Sequence, residues 1–446
     1  MLYYMKRIST LLLAAAISIT ANAESTKMLK LGTLTPGVEE PGLVAQGISP
    51  NGKYVCGNLE MGMGYFIYNL ENDECVYDVT SDPEGAELRH VNNNGLAIGY
   101  NGPGITFSMD KVETVLETPS EEYKYVLGEA LTNDGSVMIG ELVGSGYITY
   151  AAYSANGGKW TMLPQGDSET LGQYAESGST AKYISGDGKV ILGQAGGLLG
   201  PSILWLQNEQ GEYELYPLFT TIPEEYLSGD KAFHDLSPAS VSDNGKYVLM
   251  TALTIIGDPY DPEMGGQQNY IPVVYNTETQ DWTIYDEPQT VDEYGLGLRP
   301  TAIDNDGNII GIIGIPNVAS SGSFYLKAGA TQAMSYLEAF PSYAEIFGLP
   351  DSVGYCLPTC MSADGRYLVG YGYYSEDFYD ESKPAYWTSY VIDTRSDSGV
   401  AAPSVTESNV TVEGIYTIAG QRQQHTVKGV NIILMSDGST RKVIIK

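Results

Sequence analysis

Three histidines, His90, His234 and His425, are the whole supply of imidazole in this chain. His234 falls in a connection and His425 near the C-terminal end, so neither a Ser-His-Asp arrangement nor a histidine metal site can be assembled. His90 stands one residue before an apolar strand position, which suits a core or channel-lining histidine. Asp and Glu number 55. A glycosidase-like acid–base pair could be drawn from them almost anywhere, and that abundance makes any single pair uninformative. "DNDGN" (304–308) has calcium-like acids, but its glycine is not at the sixth position of an acidic loop and no twelfth-position Glu follows; it reads as a turn. The expectation is no cofactor and no metal, with calcium as a weak exception. Four cysteines form two sequence-local pairs, Cys56 with Cys75 and Cys356 with Cys360. Each pair allows a disulfide in an exported protein, and the alternative is a core thiol at Cys56 with the others free. "CLPTC" lacks the spacing of a redox CxxC motif.

The elements that must position these residues are announced by repetition. Seven phrases share one register: "ISPNGKYVCG" (48–57), "VNNNGLAIG" (91–99), "LTNDGSVMIG" (131–140), "ISGDGKVILG" (184–193), "VSDNGKYVLM" (241–250), "IDNDGNIIG" (303–311) and "MSADGRYLVG" (361–370). Their turn glycines are Gly52, Gly95, Gly135, Gly188, Gly245, Gly307 and Gly365, spaced 40 to 62 residues apart. Every residue four before the glycine is apolar, and so is every residue three after it. The pair Asn-Gly or Asp-Gly is expected to supply the positive φ values of a tight hairpin. A second, looser hairpin follows each phrase, as in "YITYAAYSANGGKWTMLP" (147–164). Two hairpins make a four-stranded blade, and seven blades close a ring. The last unit is short of one strand after "KPAYWTSYVIDT" (383–394). "KMLKLGTLTPG" (27–37), which precedes the first hairpin, is expected to supply it, removing an exposed edge. The fold class is therefore all-β, a seven-bladed β-propeller closed by the N-terminal strand, with a small C-terminal β unit.

Composition sets the limits of function. The net charge of −32 argues against nucleic acid, whose phosphates demand a basic stripe, and against an anionic membrane surface. Lys6 and Arg7, the apolar run Ile8 to Ala21 and "ANA" (21–23) have the order of a secretory signal peptide, so the mature chain is expected to begin at Glu24. Met5 would be the more usual start of such a peptide. No other segment carries the run of apolar residues that a transmembrane helix needs, so no membrane insertion of the mature chain is expected. The division expected is 1–23 signal peptide, 24–394 propeller, 395–409 a Ser/Ala/Pro/Thr-rich linker and 410–446 a β-rich tail.

Two resemblances attach to these residues. "LGTL…AQGISPNGKYVCG" and "ALTNDGSVMIGE…AAYSANGGKWTML" resemble the extracellular HAF repeats and follow the strand order of WD40-type propellers, over roughly 27–394. That implies a propeller and an exported setting, but no shared catalytic residues. In the tail, "IYTIAGQR", "KGVNIILMSDG" and "KVIIK" resemble the C-terminal sorting segment of the type IX secretion pathway of Bacteroidota. The resemblance implies an export-machinery partner, with the outer-membrane surface or extracellular space as address and the periplasm as an alternative. Sialidases are propellers too, but their Asp-box is missing, because Asp364 adjoins Gly365 and no Trp follows. Their converging arginines would have to come from Arg89, Arg299 and Arg366.

Strand alternation puts the tight turns on one face of the ring and the long connections on the other: 218–237, 251–270, 286–299, 336–357 and 371–384. Tyr260, Asp261, Tyr270, Tyr373, Tyr374, Asp377 and Phe378 belong to these long segments. Tyr and acids there suit a glycan, by stacking and hydroxyl hydrogen bonds, or a protein surface. "PSYAEIFG" (341–348) is expected to pack there as a helical turn. The expected function is an exported binding or scaffold module with a glycan or protein ligand on this face. The alternative is a surface glycan hydrolase using Asp and Glu from the loops. The scarcity of His and the lack of a catalytic motif lean away from an enzyme.

Overall fold

The computed structural model describes residues 26–29, 31, 42–82, 85–196, 200–229, 231–256, 267–286, 297–314, 322–347, 353–375, 385–397, 412–417, 421–423, 425, 428–435 and 440–445. The chain forms two compact units, Met1–Asp397 and Ser398–Lys446. The first contains seven four-stranded antiparallel sheets. After β1 (Thr26–Leu29), blade one is β2 (Leu43–Ile48), β3 (Tyr54–Leu59), β4 (Gly64–Asn69) and β5 (Glu74–Val79). Blade two is β6 (Ala86–Val91), β7 (Leu96–Asn101), β8 (Gly104–Ser108) and β9 (Glu113–Val115). Blade three is β10 (Tyr125–Leu131), β11 (Val137–Val143), β12 (Thr149–Ala155) and β13 (Thr161–Met162). Blade four is β14 (Ser179–Ile184), β15 (Val190–Ala195), β16 (Ser202–Gln207) and β17 (Tyr213–Tyr216). Blade five is β18 (Asp235–Val241), β19 (Tyr247–Ile256), β20 (Gln267–Asn276) and β21 (Trp282–Ile284). Blade six is β22 (Leu298–Ile303), β23 (Ile309–Ile313), β24 (Gly322–Leu326) and β25 (Met334–Ser335). Blade seven is β26 (Val353–Met361), β27 (Tyr367–Ser375) and β28 (Ala385–Asp393), completed by β1.

The closing strand pairs as the sequence pattern demands, Thr26 with Ile392 through Leu29 with Ser389. Leu29 and Leu31 then pack with Val369 and Val391 of blade seven against Leu43, Val55 and Phe66 of blade one. Each of the seven seams between blades carries its own apolar cluster. Period-two alternation explains why: along β15, Ile191 enters the seam with blade three while Val190 and Leu192 enter the seam with blade five. Middle strands such as β4, β15 and β23 are buried along their whole length, whereas the outer strands β9 and β13 are exposed. The two short helices Tyr336–Ala339 and Pro341–Phe347 join the seam between blades six and seven through Tyr336, Phe340, Tyr343 and Phe347.

The turns differ from the expected geometry. Each turn glycine has positive φ, from 64° to 88°, but the Asn or Asp before it does not. The backbone makes a turn in which the glycine N–H donates to the carbonyl three residues earlier, as Gly52 does to Ser49 at 2.8 Å. The side chains latch it. Ser362 Oγ accepts from Tyr367 N at 2.9 Å and donates to Asp364 Oδ1 at 2.9 Å, while Asp364 Oδ1 also accepts from Arg366 N at 3.1 Å. Ser49–Asn51, Thr132–Asp134, Ser185–Asp187 and Ser242–Asn244 repeat the hydroxyl-to-Asx bond. In the two remaining turns a single Asx replaces the hydroxyl. Asn92 Oδ1 accepts from Leu96 N at 3.0 Å, and Asp304 Oδ1 accepts from Asn308 N at 2.8 Å. Asp304 spends its other oxygen on Asn308 Nδ2 at 2.7 Å, so "DNDGN" is built as a turn.

All four cysteines are free thiols. The local bridges allowed by the sequence are not formed, for a geometric reason. Cys56 on β3 and Cys75 on β5 are separated by β4, which places them roughly 10 Å apart. Cys356 and Cys360 lie four residues apart along β26, on the order of 12 Å. A disulfide needs α-carbons within about 7 Å.

The tail unit is a four-stranded antiparallel sheet. Its strands are β29 (Val412–Thr417), β30 (Arg422–Gln423), β31 (Gly429–Met435) and β32 (Thr440–Ile445), in the order β30-β29-β31-β32.

The latch has a measurable worth. Ser362 is fully buried, so Ser362→Ala leaves the Tyr367 N–H without its acceptor. Chemical denaturation is expected to show a loss of about 2 kcal/mol, whereas Ser362→Thr retains most of the stability.

Candidate functional site: the central channel

The inner strand of every blade carries a β-bulge at one and the same register position, six residues before the turn glycine. The strand pairing skips Gln46, Arg89, Glu129, Lys182, Ala239, Thr301 and Thr359. A bulge leaves one residue unpaired and re-aims its side chain. Here the seven bulged residues all line one central cavity of about 540 Å³. The closing glycine of the repeated phrases belongs to the same device. A Cβ at Gly57, Gly99, Gly140, Gly193, Gly311 or Gly370 would fall on a carbonyl oxygen of the bulged strand opposite. In blade five Met250 stands at this place, opposite Pro238, and its buried side chain packs in the seam between blades four and five.

Three successive bulges are charged, and they form one network. Arg89 Nε donates to Glu87 at 3.1 Å, and its terminal nitrogen pairs with Glu129. Lys182 Nζ bridges Glu129 at 2.9 Å and Glu141 at 2.6 Å. Glu129 and Glu141 are only 6% and 3% exposed, while Arg89 and Lys182 keep part of their surface open. Burial works against both cations, but the facing carboxylates outweigh it and both pKa values are raised. Burial also raises Glu141, against the pull of Lys182. Across the cavity the bulged residues are short: Ala239, Thr301 and Thr359.

At the tight-turn end, hydrogen bonds between blades narrow the ring. Asn133 N donates to Gly186 O at 3.1 Å and Gly186 N to Asp243 O at 2.8 Å. Asn305 N donates to Ala363 O and Ala363 N to Pro50 O, each at 2.9 Å. The side chains of Asn133 and Asp243 occupy the space that a Cβ on Gly186 would need. From there the cavity runs along the inner strands to Glu87, Leu357 and Tyr371.

His90 lines this cavity beside Arg89. Its Nδ1 is buried with no hydrogen-bond partner among the described residues, and burial lowers its pKa to about 4.

The residues expected on the long-loop face are distributed differently. Tyr260, Asp261, Asp377 and Phe378 lie outside the described residues. Tyr373 and Tyr374 belong to β27, opposite Trp387 and Tyr386 of β28. The segments 251–256, 267–270 and 371–375 prolong strands. Tyr270 is half-buried on β20, and the Arg299 guanidinium stacks 3.7 Å from its ring centroid. Arg299 Nε is buried without a hydrogen-bond partner among the described residues. Arg366 pairs instead with Asp393 at 2.8 Å, so Arg89, Arg299 and Arg366 serve three different places.

Sequence reasoning did not find the channel network. Its only visible signals were the closing glycine and the residue six before each turn glycine, where Arg, Glu and Lys follow one another in successive units.

No protein-family model matches the sequence, and no curated protein does. Among solved structures, the chain is similar to the β-propeller domain of the Trilobed protease from Pyrococcus furiosus, at 10% identity and TM-score 0.42, covering 79% of this chain and 97% of that one. It is similar to the β-propeller domain of Cps50 (Swd1) from Myceliophteria thermophila, at 9% identity and TM-score 0.41, covering 82% and 98%. It is also similar to TolB from Acinetobacter baumannii, at 9% identity and TM-score 0.36, covering 65% and 62%.

The channel makes two predictions. Lys182→Met strips Glu141 and half of Glu129 of their counter-charge, and thermal unfolding at neutral pH is expected to show a loss of about 3 kcal/mol. Adding Glu141→Gln to that variant recovers part of the loss. His90 has a folded-state pKa below its unfolded value, so it contributes stability above pH 6.5 that disappears as pH falls toward about 4. The contribution is at most about 3 kcal/mol, and His90→Gln is expected to flatten the stability profile across that window.

Proposed function

We propose that this chain is an exported or cell-surface β-propeller that acts as a binding or scaffold module, with a glycan or protein ligand on the face of the long connections. The observation that carries this reading is the stacked Tyr270–Arg299 pair. Both residues sit at the long-connection end of their strands, Tyr270 near the start of β20 and Arg299 near the start of β22. Arg299 offers a buried donor that the described residues leave unused. An aromatic ring and a guanidinium side by side suit the apolar face and hydroxyls of a sugar, or a carboxylate of a protein surface.

Three further features support the reading. Strands of nine and ten residues in blades five and seven outrun the inner hairpins of the other blades on this face. The connections that carry Tyr260, Asp261, Asp377 and Phe378 extend from those strands, and Tyr373 and Tyr374 lie in β27 itself. The address rests on the signal-peptide pattern, on the HAF-type phrases and on the tail, whose "KGVNIILMSDG" falls largely on β31 of a small separate sheet. A tail of that kind fits delivery by a type IX-like export machinery. No helix among the described residues is long and apolar enough to cross a membrane.

A glycan array followed by a hydrolysis assay tests the proposal. Tyr270→Ala is expected to weaken the detected interaction about tenfold, or about 1.4 kcal/mol, with the melting temperature held. Turnover of a bound glycan, lost on substituting Asp261 or Asp377 in a folded protein, would sink the binding-only reading.

A further inference from the structure

We infer that the central channel is a second binding site, separate from the loop face, and that it takes a neutral, polyhydroxylated ring of mono- or disaccharide size. The cavity of about 540 Å³ falls within the range of small-molecule sites. Its two sides differ in chemistry. Blades two to four present Arg89, Glu129 and Lys182 side by side. Blades five to seven present Ala239, Thr301 and Thr359 at the equivalent bulges, whose short side chains leave the space open.

The charges select the ligand. Two cations and three carboxylates already pair in contact, all but one charge, and the one other carboxyl among the lining residues, Asp243, is raised by burial and bonded by the Asn133 and Asn305 side chains. A charged ligand would have to break buried pairs, at the cost of leaving a partner unpaired. A neutral hydroxyl ligand instead adds hydrogen bonds to lone pairs and N–H groups that the pairs do not use, and vicinal hydroxyls match the spacing of carboxylate and guanidinium forks. On the opposite side the Thr301 and Thr359 hydroxyls donate to Ile310 O at 3.4 Å and Val369 O at 3.3 Å, and keep lone pairs that accept from ligand hydroxyls beside apolar Ala302 and Leu357. A pyranose ring has the same duality, a hydroxyl edge and a C–H face.

Buried ion networks of this kind are seldom the most stable choice for a core. Apolar residues of similar volume usually serve stability as well or better. A network facing an open cavity is therefore accounted for by what it binds.

The test is calorimetry and saturation-transfer NMR on the full chain. The probes are glucose, galactose, N-acetylglucosamine and their β-linked disaccharides, with cadaverine and acetate as charged counterparts. The expected result is saturable one-to-one binding of at least one neutral sugar and none of either ion. Thr301→Phe fills the open half without touching the ion network and is expected to weaken that binding at least about tenfold. Thr359→Leu serves the same purpose should Thr301→Phe fail to fold. Tyr270→Ala is expected to leave channel binding unchanged, which separates this site from the loop face. The inference is overturned if no neutral sugar binds, if only cadaverine or acetate binds, or if a folded cavity-filling variant binds as well as the parent.

Discussion

A buried side-chain acceptor closes each turn, and the rest of the ring depends on it. Three residues before every turn glycine a Ser, Thr, Asn or Asp lies at 0–1% exposure; the hydroxyls accept the backbone N–H two residues past the glycine, and Asn92 and Asp304 accept the N–H one residue past it. That bond fixes where the second strand begins, and hence its register against the first. Register then decides which side chains enter which seam. It also decides that the extra inner-strand residue falls six positions before the glycine. A slip of one residue would send the apolar set of β15 to the wrong seams and turn Lys182 away from Glu129.

The seven seams share the stabilising work that a single core does in smaller domains. Each blade is apolar on both faces and cannot stand alone, so closure is obligatory. β1 meets that need by covering the edge of β28, and its Leu29 together with Leu31 just beyond it fills the seam between the first and last blades. Closure leaves the inner strands as seven edges around one axis. Around that axis the bulged Arg89, Glu129 and Lys182 meet as one ion network. The tight-turn end is cross-linked by backbone bonds between blades, which makes the channel a pocket anchored to the most repetitive part of the molecule.

Much of the fold could be read from residue spacing. Seven hairpins in one register, the apolar positions flanking them, the missing strand and its donor all follow from local rules of turn chemistry and alternation. The turn type was misread because Asn-Gly and Asp-Gly suggest two positive φ values. Here the Asx side chain instead bonds to its neighbours and keeps an ordinary φ. The cysteine pairs were misleading because nearness in sequence did not mean nearness in space: Cys356 and Cys360 are spread along one strand, and Cys56 and Cys75 sit on strands with β4 between them. The loop-face residues could be nominated by their composition, and at Tyr270 the structure adds what composition could not, the Arg299 guanidinium stacked on the ring from the next blade.

What the sequence by itself determined is everything encoded within about ten residues: the latch, the turn, the alternation and the number of blades. A hydrogen bond between positions three and five residues apart needs no knowledge of the rest of the chain. What only the tertiary structure decided is the channel. Arg89, Glu129 and Lys182 lie 40 and 53 residues apart, each an isolated charge in a repeat until ring closure brings their bulges to one axis. Coulomb attraction acts through space and not along the chain, so the network, its burial and the cavity it faces exist only in the closed ring.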